Sequence, residues 1–344
     1  MSRQSHPPSA SDGEIFLLGS GPTPPGEPTP PRRAQGPTRR RRRAVIAIIA
    51  VLVLLSAVVS VRFLRQSLHS DHEPPAPAAA PVVRTNYCTA GPPPTATGPQ
   101  SPEIDPEQAG NAAIIAAVAR RRSLPVRAAA IAIATAFQES TLRNLSYGDA
   151  DSLGLFQQRP SQGWGTRKQV RDPVFAVNAF YDALIKVHGY RTLPITKAAQ
   201  KVQRSAFPDA YAPYGPAARI ISAALGGSPP ARFTCVLPVS SAAPQVTGRS
   251  GVTGRAAAMR AAAGQETGSR TSRVLSATTI RFAVPASAGN RRAWALAEWA
   301  VARADDLNVA EVRVGGQVWN RAQSARGWTK STRPRVVGVV VHVA

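Results

Sequence analysis

The stretch from Ala128 to Gly165 contains the residues of this chain whose types and spacing best suit chemistry. It begins with apolar residues at helical spacing and carries a single carboxylate, Glu139, at the far end of that pattern. A turn-rich segment follows, and then a short run of apolar and amide side chains. An apolar helix that delivers one acid into a polar, aromatic-rimmed loop is typical of a general acid. A solvated glutamate at the end of a helix has the same local pattern, so both interpretations stay open.

Two short motifs within this stretch resemble a known family. Glu139-Ser140, followed by Gly154-Leu155-Phe156-Gln157, is similar to the active-site segment of the soluble lytic transglycosylases and goose-type lysozymes. The intervening turn, Tyr147-Gly148-Asp149, is closer to the goose-type pattern. The resemblance covers residues 101–238. It implies a mainly α lysozyme-like domain that cleaves the MurNAc–GlcNAc glycosidic bond of peptidoglycan.

The resemblance also assigns roles to individual residues. Glu139 would act as the general acid that protonates the leaving oxygen of the glycosidic bond. Ser140 would hold the Glu139 carboxyl group in position, and Gln157 would line the cleft opposite the polar groups of the sugar. Gly154 would allow the backbone to approach Glu139. Without the resemblance, Ser140 is a polar residue at a helix end and Gly154 is an ordinary turn glycine.

A second carboxylate would decide the type of reaction. An inverting hydrolase uses a base to activate water, whereas the resemblance to lytic transglycosylases implies attack by a hydroxyl group of the substrate itself. Asp149 and Asp151 lie close to the position where goose-type enzymes keep an aspartate. Because aspartate is also favoured in turns, the sequence leaves hydrolysis and transglycosylation open.

Three aromatic residues, Tyr147, Trp164 and Tyr211, are predicted to stack on sugar rings or to anchor their loops. The transglycosylases carry a further Tyr-Asn-Ala-Gly segment after the catalytic loop. The corresponding stretch of this chain, residues 202–208, lacks that segment, and Tyr211 is the residue available to replace its tyrosine. This departure from the family pattern keeps a non-catalytic role open.

The composition limits the classes of partner. The 344 residues carry a formal net charge of +23, which suits polyanions such as nucleic acid, anionic lipid or an anionic cell wall. The 5 histidines are scattered, and no Cys/His cluster has zinc spacing, so we predict neither a metal site nor a cofactor. We expect peptidoglycan as the partner and no nucleic acid, and the sequence identifies no protein partner.

The N-terminal part has the pattern of a membrane anchor. Residues 1–43 are rich in Pro, Gly and Ser, typical of disorder, and end in the arginine run 39–43. Residues 44–61 are mostly apolar and contain no charged side chain. The length of this segment is close to the minimum of about 17 residues for a transmembrane helix. The positive-inside rule predicts a single pass with the N-terminus in the cytoplasm and the bulk of the chain outside. A cleaved signal peptide is the alternative.

The remaining chain is predicted to form a Pro/Ala-rich tether (62–104), a helical lysozyme-like domain (105–238), a linker (239–276) and a small C-terminal α+β module of unknown role (277–344). Cys88 and Cys235 flank the helical domain beyond the predicted membrane span, so we expect them to form a disulfide. The function favoured by the sequence is a membrane-anchored enzyme that cleaves the cell wall. The alternative is a non-catalytic protein that binds the wall or acts as an envelope scaffold.

Overall fold

The computed structural model describes residues 85–91, 101–204, 207, 209–285 and 289–344. All of these belong to one compact unit, which extends from Val82 to Ala344. The segment 44–61, predicted to cross the membrane, lies outside the described residues, as does the segment 1–43. Among the described residues, none of the helices is both long enough and apolar enough to cross a bilayer.

The helices follow the apolar periodicity and capping residues of the sequence. In chain order they are α1 (Pro106–Arg121), α2 (Val126–Ser140), α3 (Arg167–Val170), α4 (Pro173–Leu184), α5 (Ile195–Gln203), α6 (Gly215–Leu225), α7 (Gly254–Ala262) and α8 (Gly289–Ala302). Short 3-10 turns occupy Pro160–Gln162, Ala212–Tyr214 and Arg321–Arg326, and a π turn occupies Ala263–Thr267.

Side-chain caps fix where two of the longer helices begin. Asp105 accepts a hydrogen bond from the Gln108 amide, and the Gln108 side chain accepts one from the Asp105 amide, which is a capping box at the start of α1. Asp172 accepts hydrogen bonds from the first amides of α4, and Pro173 occupies the first helical position. In both helices the cap lies directly before the residues with apolar helical periodicity.

The strands form two antiparallel sheets. In chain order they are β1 (Tyr87–Ala90), β2 (Glu103–Ile104), β3 (Phe233–Val236), β4 (Ser272–Ser276), β5 (Thr279–Phe282), β6 (Val309–Gly315), β7 (Gln317–Asn320), β8 (Thr329–Lys330) and β9 (Val336–Val343). The first sheet has the order β2-β1-β3, and the second has the order β4-β5-β9-β6-β7-β8. A two-residue turn at Gly315-Gly316 joins β6 to β7, with Val314 paired to Gln317.

The predicted disulfide is confirmed and holds the first sheet together. Cys88 on β1 and Cys235 on β3 are directly opposite in the strand register, with their sulfurs 2.04 Å apart. The bond joins residues 147 positions apart in the sequence. In the chain-entropy model such a crosslink stabilises the folded state by up to about 5 kcal/mol. It fixes the segment that precedes α1 to the strand that follows α6.

The C-terminal sheet is attached to this first sheet by indole and hydroxyl groups. Trp319 Nε1 donates to the Cys235 carbonyl at 3.2 Å, and Trp328 Nε1 donates to the Phe233 carbonyl at 2.8 Å. Ser324 Oγ lies between the amide and the carbonyl of Leu237, at 3.0 and 3.1 Å. Helix α8 covers one face of the second sheet and packs against α1 on its other side.

The fold class predicted from the sequence was a mainly α lysozyme-like domain with one N-terminal transmembrane helix and a small C-terminal α+β module, and it is wrong. The described residues combine their helices with the two antiparallel sheets, and no membrane-spanning helix is among them. The physical reason is that β1 and β3 are four residues each and pair across a long sequence separation, so local alternation does not reveal them. The stretch 239–276, predicted to be a linker, contains α7, the π turn and β4.

Glu298 of α8 forms a buried link between the helices and the first sheet. Its side chain has no solvent exposure, and Oε1 accepts a hydrogen bond from the Arg232 amide at 2.8 Å. Burial raises the pKa of the Glu298 carboxyl to about 8, against the opposing effects of the Arg232 amide and the Arg120 charge. The carboxyl group is therefore mainly protonated in the folded chain at pH 7.

We predict that Glu298 makes the folded state less stable as the pH rises from about 4.5 to 8. Between these pH values the folded chain keeps a proton on Glu298 that the unfolded chain has released. The free energy of unfolding therefore falls as the pH rises, by up to about 4 kcal/mol at pH 8. Urea unfolding of the parent and of Glu298→Gln at pH 5 and pH 8 measures the effect. The loss between the two pH values should be larger in the parent, and an equal loss in both proteins would contradict the assignment.

Candidate functional site

The residues singled out by the sequence surround a cleft of about 1440 Å³. The end of α2, the loop that follows it, α4 and the last turn of α5 form its walls. Of the residues predicted for the site, Glu139, Asp149, Gln157, Trp164 and Tyr211 line the cleft. Ser140, Tyr147 and Asp151 do not contribute to its lining.

Two neutral donors from the far wall hold the Glu139 carboxyl group. The Tyr211 hydroxyl donates to Glu139 Oε1 at 2.8 Å, and Gln203 Nε2 donates to the same oxygen at 3.0 Å. Gln203 Nε2 also donates to the Phe156 carbonyl at 2.9 Å, which fixes the amide between the two loops. Both donors reach Oε1, so within the described part of the chain Oε2 is the oxygen left for a ligand in the cleft.

A left-handed backbone turn directly after α2 leads the chain from Glu139 into the loop that lines the cleft. Helix α2 ends at Ser140, and the next two residues, Thr141 and Leu142, are both left-handed, with φ values of 53° and 58°. Neither is a glycine, so each costs roughly 1–2 kcal/mol of backbone strain. Two amides of α1 stabilise the turn: Gln108 Nε2 donates to the Thr141 carbonyl at 2.9 Å and Asn111 Nδ2 to the Leu142 carbonyl at 2.8 Å.

Ser140 positions the loop rather than the carboxyl group of Glu139. Its buried hydroxyl lies 2.8 Å from the Leu155 carbonyl and 3.0 Å from the Ala136 carbonyl. The first contact joins the end of α2 to the Gly154–Gln157 run. The role implied by the resemblance, a direct hydrogen bond to Glu139, is therefore replaced by an indirect one, because the side chain of the residue after Glu139 points into the protein.

Glycines allow the two parts of the loop to interlock. The Gly154 amide donates to the Leu145 carbonyl at 2.8 Å, and its α-carbon faces the Val170 carbonyl, where a Cβ would lie 2.3 Å from the oxygen. Gly148 faces the Gln157 side chain just as closely, with 1.9 Å between a built Cβ and Oε1. Gly154 therefore permits an approach to Val170, and not the approach to Glu139 that the sequence led us to expect.

The Gln157 amide is held over the turn by backbone carbonyls. Nε2 donates to the Tyr147 carbonyl at 3.2 Å and to the Gly154 carbonyl at 3.4 Å. The residue itself is left-handed, with φ of 46°, and half-buried at the edge of the cleft. This position suits the predicted contact between Gln157 and a bound sugar.

The two aspartates of the turn have different surroundings. Asp151 Oδ1 pairs with Arg159 Nε at 3.0 Å, and its Oδ2 accepts from the Ser161 amide at 2.7 Å. The Ser161 amide above all, together with Arg159, lowers the pKa of Asp151 to about 2. Asp151 therefore stabilises the loop, whereas Asp149 is exposed at the cleft and is the one of the two that can act on a ligand there.

The aromatic residues also differ in what they offer to a ligand. Tyr211 is 1% exposed and uses its hydroxyl on Glu139, so its ring presents no open face. Tyr147 is 70% exposed but lies outside the cleft lining. Trp164 is half-buried, packs against the core and lines the cleft, which makes it the best placed of the three for stacking on a sugar.

The rim of the cleft carries cations that the sequence analysis did not single out. Lys186, Lys201 and Arg204 are exposed around the opening, and none of them pairs with a carboxylate of the described residues. The other charged groups of the lining are largely neutralised, since Asp182 pairs with Arg122 at 2.5 Å. The cleft therefore carries three unpaired cations at its rim and two carboxyl groups without an ion-pair partner in the described residues, Glu139 and Asp149.

Gln203 is the site residue that sequence reasoning missed most clearly. It lies in the stretch 202–208, which lacks the distal segment of the transglycosylases that this chain resembles. The signal that could have indicated Gln203 is its polar amide at the end of a helix that carries apolar residues at helical spacing. Among the described residues no group of three or more His, Cys, Asp or Glu side chains could hold a metal ion.

Comparison with protein-family models and with curated protein sequences identifies no relative of this chain. No protein-family model matches the chain, and no curated protein sequence is significantly similar to it.

We predict that Gly154→Ala destabilises the protein by about 2–4 kcal/mol, because a methyl group would meet the Val170 carbonyl in an already left-handed residue. Gly163→Ala is the matched control, since Gly163 has φ of 81° but nothing within 4 Å of a built Cβ. That control should lose only about 1 kcal/mol. Denaturant unfolding of both variants checks this, and equal losses would show that the contact with Val170 contributes nothing.

Proposed function

We propose that this chain cleaves the MurNAc–GlcNAc glycosidic bond of peptidoglycan, with Glu139 as the general acid. The observation that carries the proposal is the placement of Glu139 in the cleft, where Tyr211 and Gln203 hold one carboxyl oxygen and leave the other to the open space. An acid fixed at the wall of an open cleft can serve as the general acid of glycosidic cleavage.

In the proposed reaction, Oε2 of Glu139 donates a proton to the glycosidic oxygen as the bond from that oxygen to the sugar C1 breaks. The positive charge that develops on the sugar ring is then taken up by an oxygen nucleophile, which loses its own proton. The Glu139 carboxylate formed in the first step can accept that proton, so one acid serves both steps.

The identity of the nucleophile separates two forms of this activity. Attack by a hydroxyl group of the sugar itself gives an anhydro end, while attack by water gives a reducing end. Asp151 is engaged by Arg159 and Ser161, so Asp149 is the carboxylate of the turn that is free to assist water. The geometry favours the substrate-assisted route, because Asp149 is exposed and no described side chain orients its carboxylate.

The cationic rim supports an anionic glycan as the substrate. Peptidoglycan carries carboxylates on its peptide stems, and Lys186, Lys201 and Arg204 can meet these groups while the sugar chain lies in the cleft. Trp164 offers an aromatic face and Gln157 an amide to the sugars in the same cleft.

For the cellular location, we propose the outer side of a bacterial cell membrane, with residues 44–61 as a single anchor and the N-terminus in the cytoplasm. The Cys88–Cys235 disulfide supports the outer side, since such bonds persist in oxidising compartments. The arginine run before the apolar segment supports the orientation.

We predict that Glu139→Gln lowers the rate of peptidoglycan lysis by at least about 100-fold, because an amide cannot donate the proton. Lysis is followed as the loss of turbidity of purified cell walls. Glu311→Gln, the same chemical change on β6 away from the cleft, is the control and should keep the parent's rate. Asp149→Asn should lose less than Glu139→Gln, and an equal loss would instead identify a base-assisted hydrolase.

The outcome in the parent also decides the class of protein. A folded parent that sediments with cell walls but releases nothing would favour the non-catalytic, wall-binding alternative. Full activity in Glu139→Gln would remove the general-acid role.

We predict that Tyr211→Phe lowers kcat by about 3–10-fold with little change in KM, since it removes one hydrogen bond to the acid and keeps the ring. Tyr87→Phe on β1 is the control for the chemical change. Combined with Glu139→Gln, the Tyr211→Phe change should cause no additional loss, because the two residues act through the same proton. An additive loss in the double variant would mean that Tyr211 acts independently of Glu139.

A further inference from the structure

A second cavity, of about 550 Å³, lies at the other end of α2 from Glu139. It is enclosed by α1, the start of α2, α6 and the first turn of α8. The distance along α2 from Ala129, which lines this cavity, to Glu139 is about 15 Å at the helical rise per residue. The cavity is thus a separate feature from the cleft, and it uses none of the cleft residues.

The walls of this cavity combine apolar side chains with arginines. The apolar part consists of alanines of α1 and α2 together with Leu124, Pro125 and Val126. Arg120, Arg291 and Arg292 provide the charged part, and no carboxylate contributes to the lining. A volume of this size is typical of cavities that hold small organic molecules.

The arginines lack a counter-charge within the described residues. Arg120 makes no hydrogen bond or ion pair with any of them, and Arg292 is close enough to repel it. Burial first, and then Arg292, lowers the pKa of Arg120 to about 10, so the group stays charged at neutral pH. Glu298 attracts Arg120 at longer range, but its own pKa is raised to about 8, which leaves it mainly uncharged at pH 7.

Arg120 is half-buried beside a second arginine, so an anion that joins the two guanidinium groups would offset both their repulsion and the partial burial of charge. The planar fork of an arginine matches the two oxygens of a carboxylate. An inorganic anion would leave the apolar side chains of the lining in contact with water. The apolar part of an organic acid would bury them. The cavity lining therefore combines cationic and apolar side chains.

We propose that this cavity binds an organic carboxylate with an apolar body, its carboxylate between Arg120 and Arg292 and its apolar part against the alanines of α1 and α2. The site is independent of the cleft. It goes beyond the proposed glycan cleavage and does not depend on it.

Calorimetric titration of the full-length chain with octanoate at pH 7 tests the proposal, with acetate and inorganic phosphate as comparison probes. Octanoate should bind at least about 10-fold more tightly than acetate, since both an apolar tail and a charge are recognised. Phosphate as tight as octanoate, or no octanoate binding by the folded parent, would overturn it.

Two arginine variants and one control make the test specific. Arg292→Gln changes an exposed side chain, so it should fold as the parent does and weaken octanoate binding by at least about 10-fold. Arg120→Gln should raise the melting temperature without ligand, because it removes the repulsion from Arg292, and should abolish the further rise that octanoate gives the parent.

Arg333→Gln removes an equal charge from an exposed position that does not line the cavity and should leave octanoate binding unchanged. If both Arg120→Gln and Arg292→Gln bind octanoate as tightly as the parent does, octanoate binds elsewhere and the proposal is wrong.

Discussion

The close packing of small side chains around α2 is the constraint on which the rest of the structure depends. From Ala128 to Ala136 this helix is buried on every side, and most of its residues are alanines. Such a surface lets α1, α4, α5 and α6 all contact the same helix. A larger side chain in this stretch would displace a neighbouring helix, and with it one wall of the cleft. The position of Glu139 at the end of α2 is therefore set by the whole bundle.

The site is completed by groups that hold this helix end against its loop. The left-handed turn at Thr141 and Leu142 directs the chain away from the bundle. Two side-chain amides of α1 stabilise this turn, because they donate hydrogen bonds to its carbonyl groups. Ser140 joins the turn to the Gly154–Gln157 run. Tyr211 and Gln203 then reach Glu139 from the opposite wall. Removing any one of these contacts would leave the helix intact and the carboxyl group free to move.

Whether a feature of the fold or of the site could be predicted depends on how far apart in the sequence the interacting residues are. Helices such as α1 and α4 were predictable because their caps, Asp105 and Asp172, lie next to the periodic residues they start. The site stretch was predictable because Glu139 and the Gly154–Gln157 run are close in sequence. The donors to Glu139 were not, since Gln203 lies 64 positions away and its role depends on tertiary packing. Tyr211 was predicted either to stack on a sugar ring or to anchor its loop, and neither prediction included the hydrogen bond from its buried hydroxyl to Glu139.

The same reasoning explains the error in the fold class. The first sheet depends on pairing between residues 147 positions apart, and the second is attached to it by single groups such as Trp319 and Trp328. Neither leaves a periodic signal in the local sequence. Residues 239–276 are rich in small and polar side chains, a composition that is equally typical of a linker and of a segment that packs a short helix against a larger body.

The proposed reaction at the Glu139 cleft is the cleavage of a glycosidic bond of peptidoglycan. Mass spectrometry of the soluble products that the purified full-length chain releases from purified cell walls tests it most directly. We expect disaccharide-peptides cut between MurNAc and GlcNAc, with anhydro ends as the main product and with release by Glu139→Gln lowered at least about 100-fold. Fragments cut only within the peptide stems, or disaccharide-peptides released equally by Glu139→Gln, would contradict it.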